Sequence, residues 1–102
     1  MMKRTAFLIN VARGPIVDED ALIDALRARK IAGAGLDVFE EEPLLDDSPL
    51  LSLDNVLLTP HIGSAAEQTR YKMGELAAKN LVDFLLNKKP SNIVNPKYSS
   101  TK

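Results

Sequence analysis

The sequence contains no cysteine, so it forms no disulfide and no thiolate metal site, which fits a reducing compartment. It also lacks a long apolar run. Spanning a bilayer takes about 18 consecutive apolar residues, and the basic start Met1-Met2-Lys3-Arg4 leads only to Ala6-Phe7-Leu8-Ile9 before Asn10 and Arg13 interrupt a signal-peptide core. No membrane partner is expected, and the expected location is the cytoplasm. Charge of one sign is missing as well: 13 basic residues stand against 14 acidic ones, for a net charge of -1. That balance gives no electrostatic reason for a nucleic-acid partner. No internal repeat or low-complexity segment is found beyond a short polar tail. Histidine is reduced to one residue, His61, and the scattered carboxylates match no zinc or EF-hand spacing. No metal site is expected.

What is there reads as a small globular chain, 45% hydrophobic and 26% charged over 102 residues. At this size about two-thirds of the unfolded surface is buried on folding, enough for a modest core. Residues 6–11, Ala-Phe-Leu-Ile-Asn-Val, predict a strand buried on both faces. Ala12-Arg13-Gly14-Pro15 ends it: Gly14 is expected to take a turn closed to other residues, and Pro15 disfavours further pairing. Arg13 at that tip is either a solvated loop charge or a fork for a carboxylate.

The spacing predicts a helix over 18–29, with Asp18, Glu19 and Asp20 at its start, Arg27, Arg29 and Lys30 at its end, and Leu22, Ala25, Leu26 and Arg29 along one stripe. Residues 31–38 predict a second buried strand, which completes a βαβ unit expected to be right-handed. Its Gly33-x-Gly35 is not a dinucleotide fingerprint. The third glycine would fall at Val38, and an acidic, proline-bearing loop follows where a helix should open. Most acids of the connection 39–54 are expected to be solvated.

A third strand is predicted over 55–58, ending at Thr59-Pro60-His61, and Ser64-Ala65-Ala66-Glu67 has the form of a capping box opening a helix over about 65–86. At roughly 33 Å that helix is longer than a small sheet. Asn87 and Lys88-Lys89-Pro90 supply its stop, and 90–102 is expected to be extended and then frayed. The order is β-α-β-loop-β-α. Parallel strands would bring Arg13, Asp37, Glu42 and His61 to one carboxyl edge, where open α/β sheets bind ligands. Together they have the make-up of an acid/base site with an anion clamp, although each has a bland surface reading.

Four motifs in this order resemble the D-isomer-specific 2-hydroxyacid dehydrogenases: Leu8-Ile9-Asn10-Val11-Ala12-Arg13-Gly14, Val17-Asp18-x-x-Ala21-Leu22, Gly33-Ala34-Gly35-Leu36-Asp37-Val38-Phe39-Glu40-x-Glu42-Pro43 and Leu58-Thr59-Pro60-His61-Ile62-Gly63. The wording is nearest to the glyoxylate/hydroxypyruvate reductase branch. The resemblance implies an NAD- or NADP-dependent reduction of a small 2-oxo acid to a 2-hydroxy acid. It implies that Arg13 binds the substrate carboxylate and polarises the 2-oxo group, that His61 is the general acid/base, and that Glu42 is the carboxylate paired with it. Asp37, Ala12 and Gly63 are the implied contacts with the nicotinamide cofactor.

The resemblance also implies a partial Rossmann-like three-layer fold. Residues 1–90 would be the C-terminal half of a nucleotide-binding domain, and 91–102 the return toward a substrate domain. The pyrophosphate-binding glycine motif is not among these residues. The expected gene product is therefore truncated, split or fragmentary, completed by an N-terminal segment or prone to self-association through its open strand edge. A non-catalytic structural or interaction module derived from the same domain is the alternative.

Overall fold

The computed structural model describes residues 2–95, and the chain divides between Gly63 and Ser64 into two compact units. In the first unit the three apolar runs become β1 (Phe7–Asn10), β2 (Gly33–Leu36) and β3 (Val56–Leu58), and the amphipathic segment between the first two becomes α1 (Glu19–Arg27). The strands form one parallel sheet in the order β1-β2-β3. Phe7 lies opposite Gly33 and Asn10 opposite Leu36, while Ala34 lies opposite Val56 and Leu36 opposite Leu58. The α/β class with a short parallel sheet is as the sequence predicts.

Strand alternation sorts the side chains. Leu8, Ala34, Leu36, Val56 and Leu58 belong to the core with Leu22, Ile23 and Leu26 of α1. Leu26 is fully buried, as is Leu50, which enters the core from a short 3-10 turn at Pro49–Ser52. The Ser48 hydroxyl starts that turn by accepting the Leu50 N–H at 3.3 Å. On the opposite face Phe7, Ile9 and Leu57 are 67%, 66% and 70% exposed. The expectation that the first strand is buried on both faces is thus corrected: β1 alternates, with one face in the core and the other open. The reason is local, since α1 and the 39–54 connection supply apolar side chains to a single face.

α1 begins as its charges require. Asp18 is the N-cap and accepts the Ala21 N–H at 2.9 Å. A second, unforeseen cap comes from the acidic connection, where Glu40 Oε1 accepts the Glu19 N–H at 3.1 Å and Glu19 Oε2 accepts the Glu40 N–H at 3.1 Å. Glu40 is therefore tied to α1 as well as solvated, an exchange that no local pattern announces. The helix ends with Arg29 at φ 49°. There Arg29 N donates to Leu26 O at 3.1 Å and Lys30 N to Ala25 O at 2.9 Å, the bond pair of a Schellman end.

Gly14 is needed for a different reason from the one expected. No glycine has positive φ. A Cβ at Gly14 would overlap the Phe39 carbonyl and the Glu40 nitrogen, so the residue allows the loop after β1 to lie directly on the chain leaving β2.

In the second unit, α2 (Glu67–Leu85) starts at N-cap Ala66 with no side-chain cap bond. The expected Ser64 capping box does not form, because Ser64 stands two residues before the N-cap rather than at it. The C-terminal stop is as expected. Asn87 has φ 55°, with Asn87 N donating to Phe84 O at 3.0 Å and Lys88 N to Asp83 O at 2.7 Å. Lys79 and Asp83 pair one turn apart at 2.8 Å. Residues 96–102 of the expected frayed tail lie outside the described residues. Among the described residues no helix is long and apolar enough to cross a membrane.

Candidate active site

All three strands point the same way, so the segments after Asn10, Leu36 and Leu58 meet at one edge of the sheet. Backbone bonds continue the ladder beyond the strands. Asp37 N donates to Asn10 O at 3.0 Å and Thr59 N to Leu36 O at 2.9 Å, which fixes the height at which each loop departs.

At that edge His61 and Glu42 pair through their side chains, with Nδ1 2.7 Å from Oε2. An ionised carboxylate only accepts, so Nδ1 carries the proton in this contact and Nε2 is the ring nitrogen left for exchange. Glu42 is itself held from behind, its Oε1 accepting the Phe39 N–H at 3.1 Å. The His61 hydrogen bond, then the Phe39 N–H, keep the Glu42 carboxyl below its ordinary value against the opposing effect of burial, and the charges of His61 and Arg13 add to the lowering. The Glu42–Pro43 bond is cis. Side-chain exposures of 45% for His61 and 35% for Glu42 leave the pair accessible. It borders a cleft of about 560 Å³ with an apolar wall of Phe39, Pro43, Leu44, Leu51, Leu58 and Pro60.

Asp37 sits beside this pair but only 4% exposed. Its Oδ1 accepts the Thr59 hydroxyl at 2.6 Å and the Ile62 N–H at 2.9 Å, and its Oδ2 accepts the Gly63 N–H at 2.7 Å. The Thr59 hydroxyl foremost, then the two amides with the nearby His61 charge, hold its carboxyl below the ordinary value although burial opposes this.

Arg13 lies on the neighbouring loop, exposed. Its Nη1 donates to the Ala12 carbonyl at 2.6 Å, which leaves the other guanidinium donors free of protein partners among the described residues. Asn10, 6% exposed, gathers this loop: its Nδ2 donates to Arg13 O at 2.9 Å and its Oδ1 accepts the Ala12 N–H at 3.2 Å. Sequence reasoning named Ala12, Arg13, Asp37, Glu42, His61 and Gly63 and gave no role to Asn10 or Thr59. The available signal for Asn10 was an amide interrupting an apolar strand, since a buried amide must find partners.

Among the described residues no three His, Cys, Asp or Glu side chains converge as a metal site. Fit to a nicotinamide group is a separate test. The Ala12 carbonyl, which accepts one bond from Arg13 Nη1 and has a second lone pair, and the one lone-pair site of Asp37 not taken by a protein donor match the acceptor needs of a carboxamide. The Gly63 N–H is occupied by Asp37.

The parallel sheet thus carries an imidazole–carboxylate pair and an exposed arginine at its carboxyl edge, the edge at which open α/β sheets bind ligands. Comparison with known proteins makes this specific. Residues 1–63 match the family of the D-isomer specific 2-hydroxyacid dehydrogenase, NAD binding domain, and the chain belongs to that family. It is 59% identical over 95 residues to glyoxylate/hydroxypyruvate reductase B of Citrobacter koseri, covering 93% of this chain and 29% of that protein. Among solved structures, an NADPH-dependent glyoxylate/hydroxypyruvate reductase from Sinorhizobium meliloti in complex with citrate aligns at TM-score 0.82 and 43% identity, over 93% of this chain and 30% of that one. A glyoxylate reductase from Paecilomyes thermophila aligns at TM-score 0.84 and 35% identity, over 95% and 29%. The chain thus spans under a third of the length of these relatives.

Proposed function

We propose that this chain supplies the acid/base part of an NAD(P)-dependent oxidoreductase that reduces a small 2-oxo acid, of the glyoxylate or hydroxypyruvate kind, to the 2-hydroxy acid. The observation that carries the reading is the 2.7 Å contact of His61 Nδ1 with Glu42, which leaves Nε2 to give a proton to the carbonyl oxygen as it becomes an alkoxide and to take it back in oxidation. The Glu42 carboxylate faces the positive charge of the ring when both nitrogens are protonated. Arg13 presents a planar fork to the substrate carboxylate. Asp37 and the Ala12 carbonyl are the groups that would hold the carboxamide end of the cofactor, with Gly63 acting through its bond to Asp37. The nicotinamide supplies the hydride when bound. Residues 1–90 are read as part of the nucleotide-binding domain and 91–102 as the return toward the substrate domain.

Complementation tests the reading. The chain by itself is expected to oxidise NADPH or NADH with glyoxylate no faster than its His61→Ala variant, because its sequence holds no glycine motif of the kind that cradles a pyrophosphate. Combined with the part of the Citrobacter koseri relative that precedes the matched region, it is expected to turn over. A complemented, folded assembly that binds NADPH and leaves glyoxylate and hydroxypyruvate untouched would instead support the non-catalytic module.

A further inference from the structure

The turn that carries the one histidine has a backbone that L-residues avoid. His61 has φ 53°, a left-handed backbone that brings its Cβ too close to the following carbonyl oxygen. Such a conformation persists only where its surroundings over-determine it. Within the turn the restraint is slight: His61 N donates to Thr59 O at 3.0 Å. The stronger restraint comes from outside. The Thr59 hydroxyl, two residues before His61, and the Ile62 and Gly63 amides, one and two residues after it, converge on the Asp37 carboxylate at 2.6, 2.9 and 2.7 Å. Three donors bracketing one residue on both sides leave its backbone little freedom.

We infer that Asp37 is a positioning residue for His61: its buried carboxylate clasps the turn from Thr59 to Gly63 and so sets the direction in which the imidazole leaves the backbone. Glu42 and Asp37 then have separate tasks. Glu42 touches the ring and selects its tautomer through Nδ1, whereas Asp37 bonds to the chain on either side of His61. Without the clasp the turn relaxes toward ordinary backbone, and the ring swings away from Glu42. Gly63 belongs to the same device, since a Cβ there would stand 3.0 Å from Asp37 Oδ2. The inference rests on the reading of His61 as acid/base, but it concerns an orientation that is measurable without turnover. A failed complementation would leave it standing.

Asp37→Asn is the informative change because it keeps volume and shape. Whichever way the amide turns, its NH2 group faces a backbone N–H of Ile62 or Gly63, donor against donor. The single histidine makes the nitrogen spectrum of the imidazole unambiguous in the 102-residue chain labelled with nitrogen-15. The wild-type chain is expected to show the pattern of a proton fixed on Nδ1. Asp37→Asn is expected to lose it for a mixture of tautomers while the methyl signals of the buried Leu26 and Leu50 stay in place. Thr59→Val is expected to move part of the way, and Thr59→Ser, which restores the hydroxyl, to match the wild type. If Asp37→Asn fails to fold, the Thr59 pair decides alone. An imidazole that keeps its Nδ1 proton in Asp37→Asn, or in Thr59→Val where that variant decides, overturns the inference. So does a Thr59→Val variant that loses the core methyl signals together with the imidazole pattern, because Asp37 would then hold the fold rather than the histidine.

Discussion

Arg13 and His61 each follow a strand of the same sheet, and each loop is gathered by one buried polar side chain, Asn10 at 6% exposure and Asp37 at 4%. The two devices differ in reach and in charge. Asn10 bonds to groups two and three residues ahead on its own chain, so the Arg13 loop is a local structure that forms with its strand. Asp37 holds donors 22, 25 and 26 residues away, so the His61 turn exists only once β2 and β3 are paired. An amide cannot ionise, whereas a carboxylate that accepts three hydrogen bonds must. The side-chain bonds that gather the arginine loop thus run between sequence neighbours and involve no ionisable group, whereas those that gather the histidine turn span distant segments and end on a carboxylate.

The largest expected effect that probes this contrast is at Arg13. Lysine there keeps the charge and the Asn10 bonds, which involve only backbone of residues 12 and 13, but loses the two-pronged fork. Hydrogen bonds to charged groups contribute about 1.5–3 kcal/mol, so Arg13→Lys in the complemented enzyme is expected to lower kcat/KM for glyoxylate about ten- to a hundredfold. Equal kinetics for arginine and lysine would remove the clamp.

A smaller effect separates the two loops by acid. The carboxyls of Asp37 and Glu42 lie below their ordinary values of 3.8 and 4.5, so as pH falls the unfolded chain takes up protons first. Their stabilising contribution is complete above those ordinary values and disappears as pH falls through the lower values of the folded state. Amide exchange followed downward from pH 5 is expected to show the Ile62 and Gly63 amides losing protection while the Ala12 amide, bonded to the neutral Asn10, keeps its own. Equal loss at both loops would erase the distinction drawn between them.

The same contrast explains what the sequence made legible. Elements set by local pattern were readable: α1 opening among Asp18, Glu19 and Asp20, β1 to within a residue at either end, the end of β3 at Leu58, and the stop of α2 at Asn87. The placement of Arg13, Asp37, Glu42 and His61 at one edge followed from parallel strands alone. What pattern could not show were bonds between distant segments, such as the exchange between Glu19 and Glu40 and the Asp37 clasp. Leu50, hidden in an acidic connection, is another case: it fills the core because a 3-10 turn happens to aim it there. The capping box failed for the opposite reason, a good local pattern that the chain path does not use. Gly14 shows a residue correctly singled out for the wrong physics, since its need is a close approach to Phe39 across the sheet edge and not a left-handed turn.

One measurement bears most directly on the assignment of proton transfer to the His61–Glu42 pair: turnover of glyoxylate with NADPH by the complemented enzyme, wild type against His61→Ala, at equal cofactor saturation. Loss of a general acid removes roughly 10²–10⁴-fold in rate. The account predicts a fall of that size in kcat with NADPH affinity unchanged, since the proposal assigns the proton to His61 and the cofactor contacts to Asp37 and Ala12. A variant that turns over at the wild-type rate, or one whose loss lies wholly in NADPH binding, would contradict it.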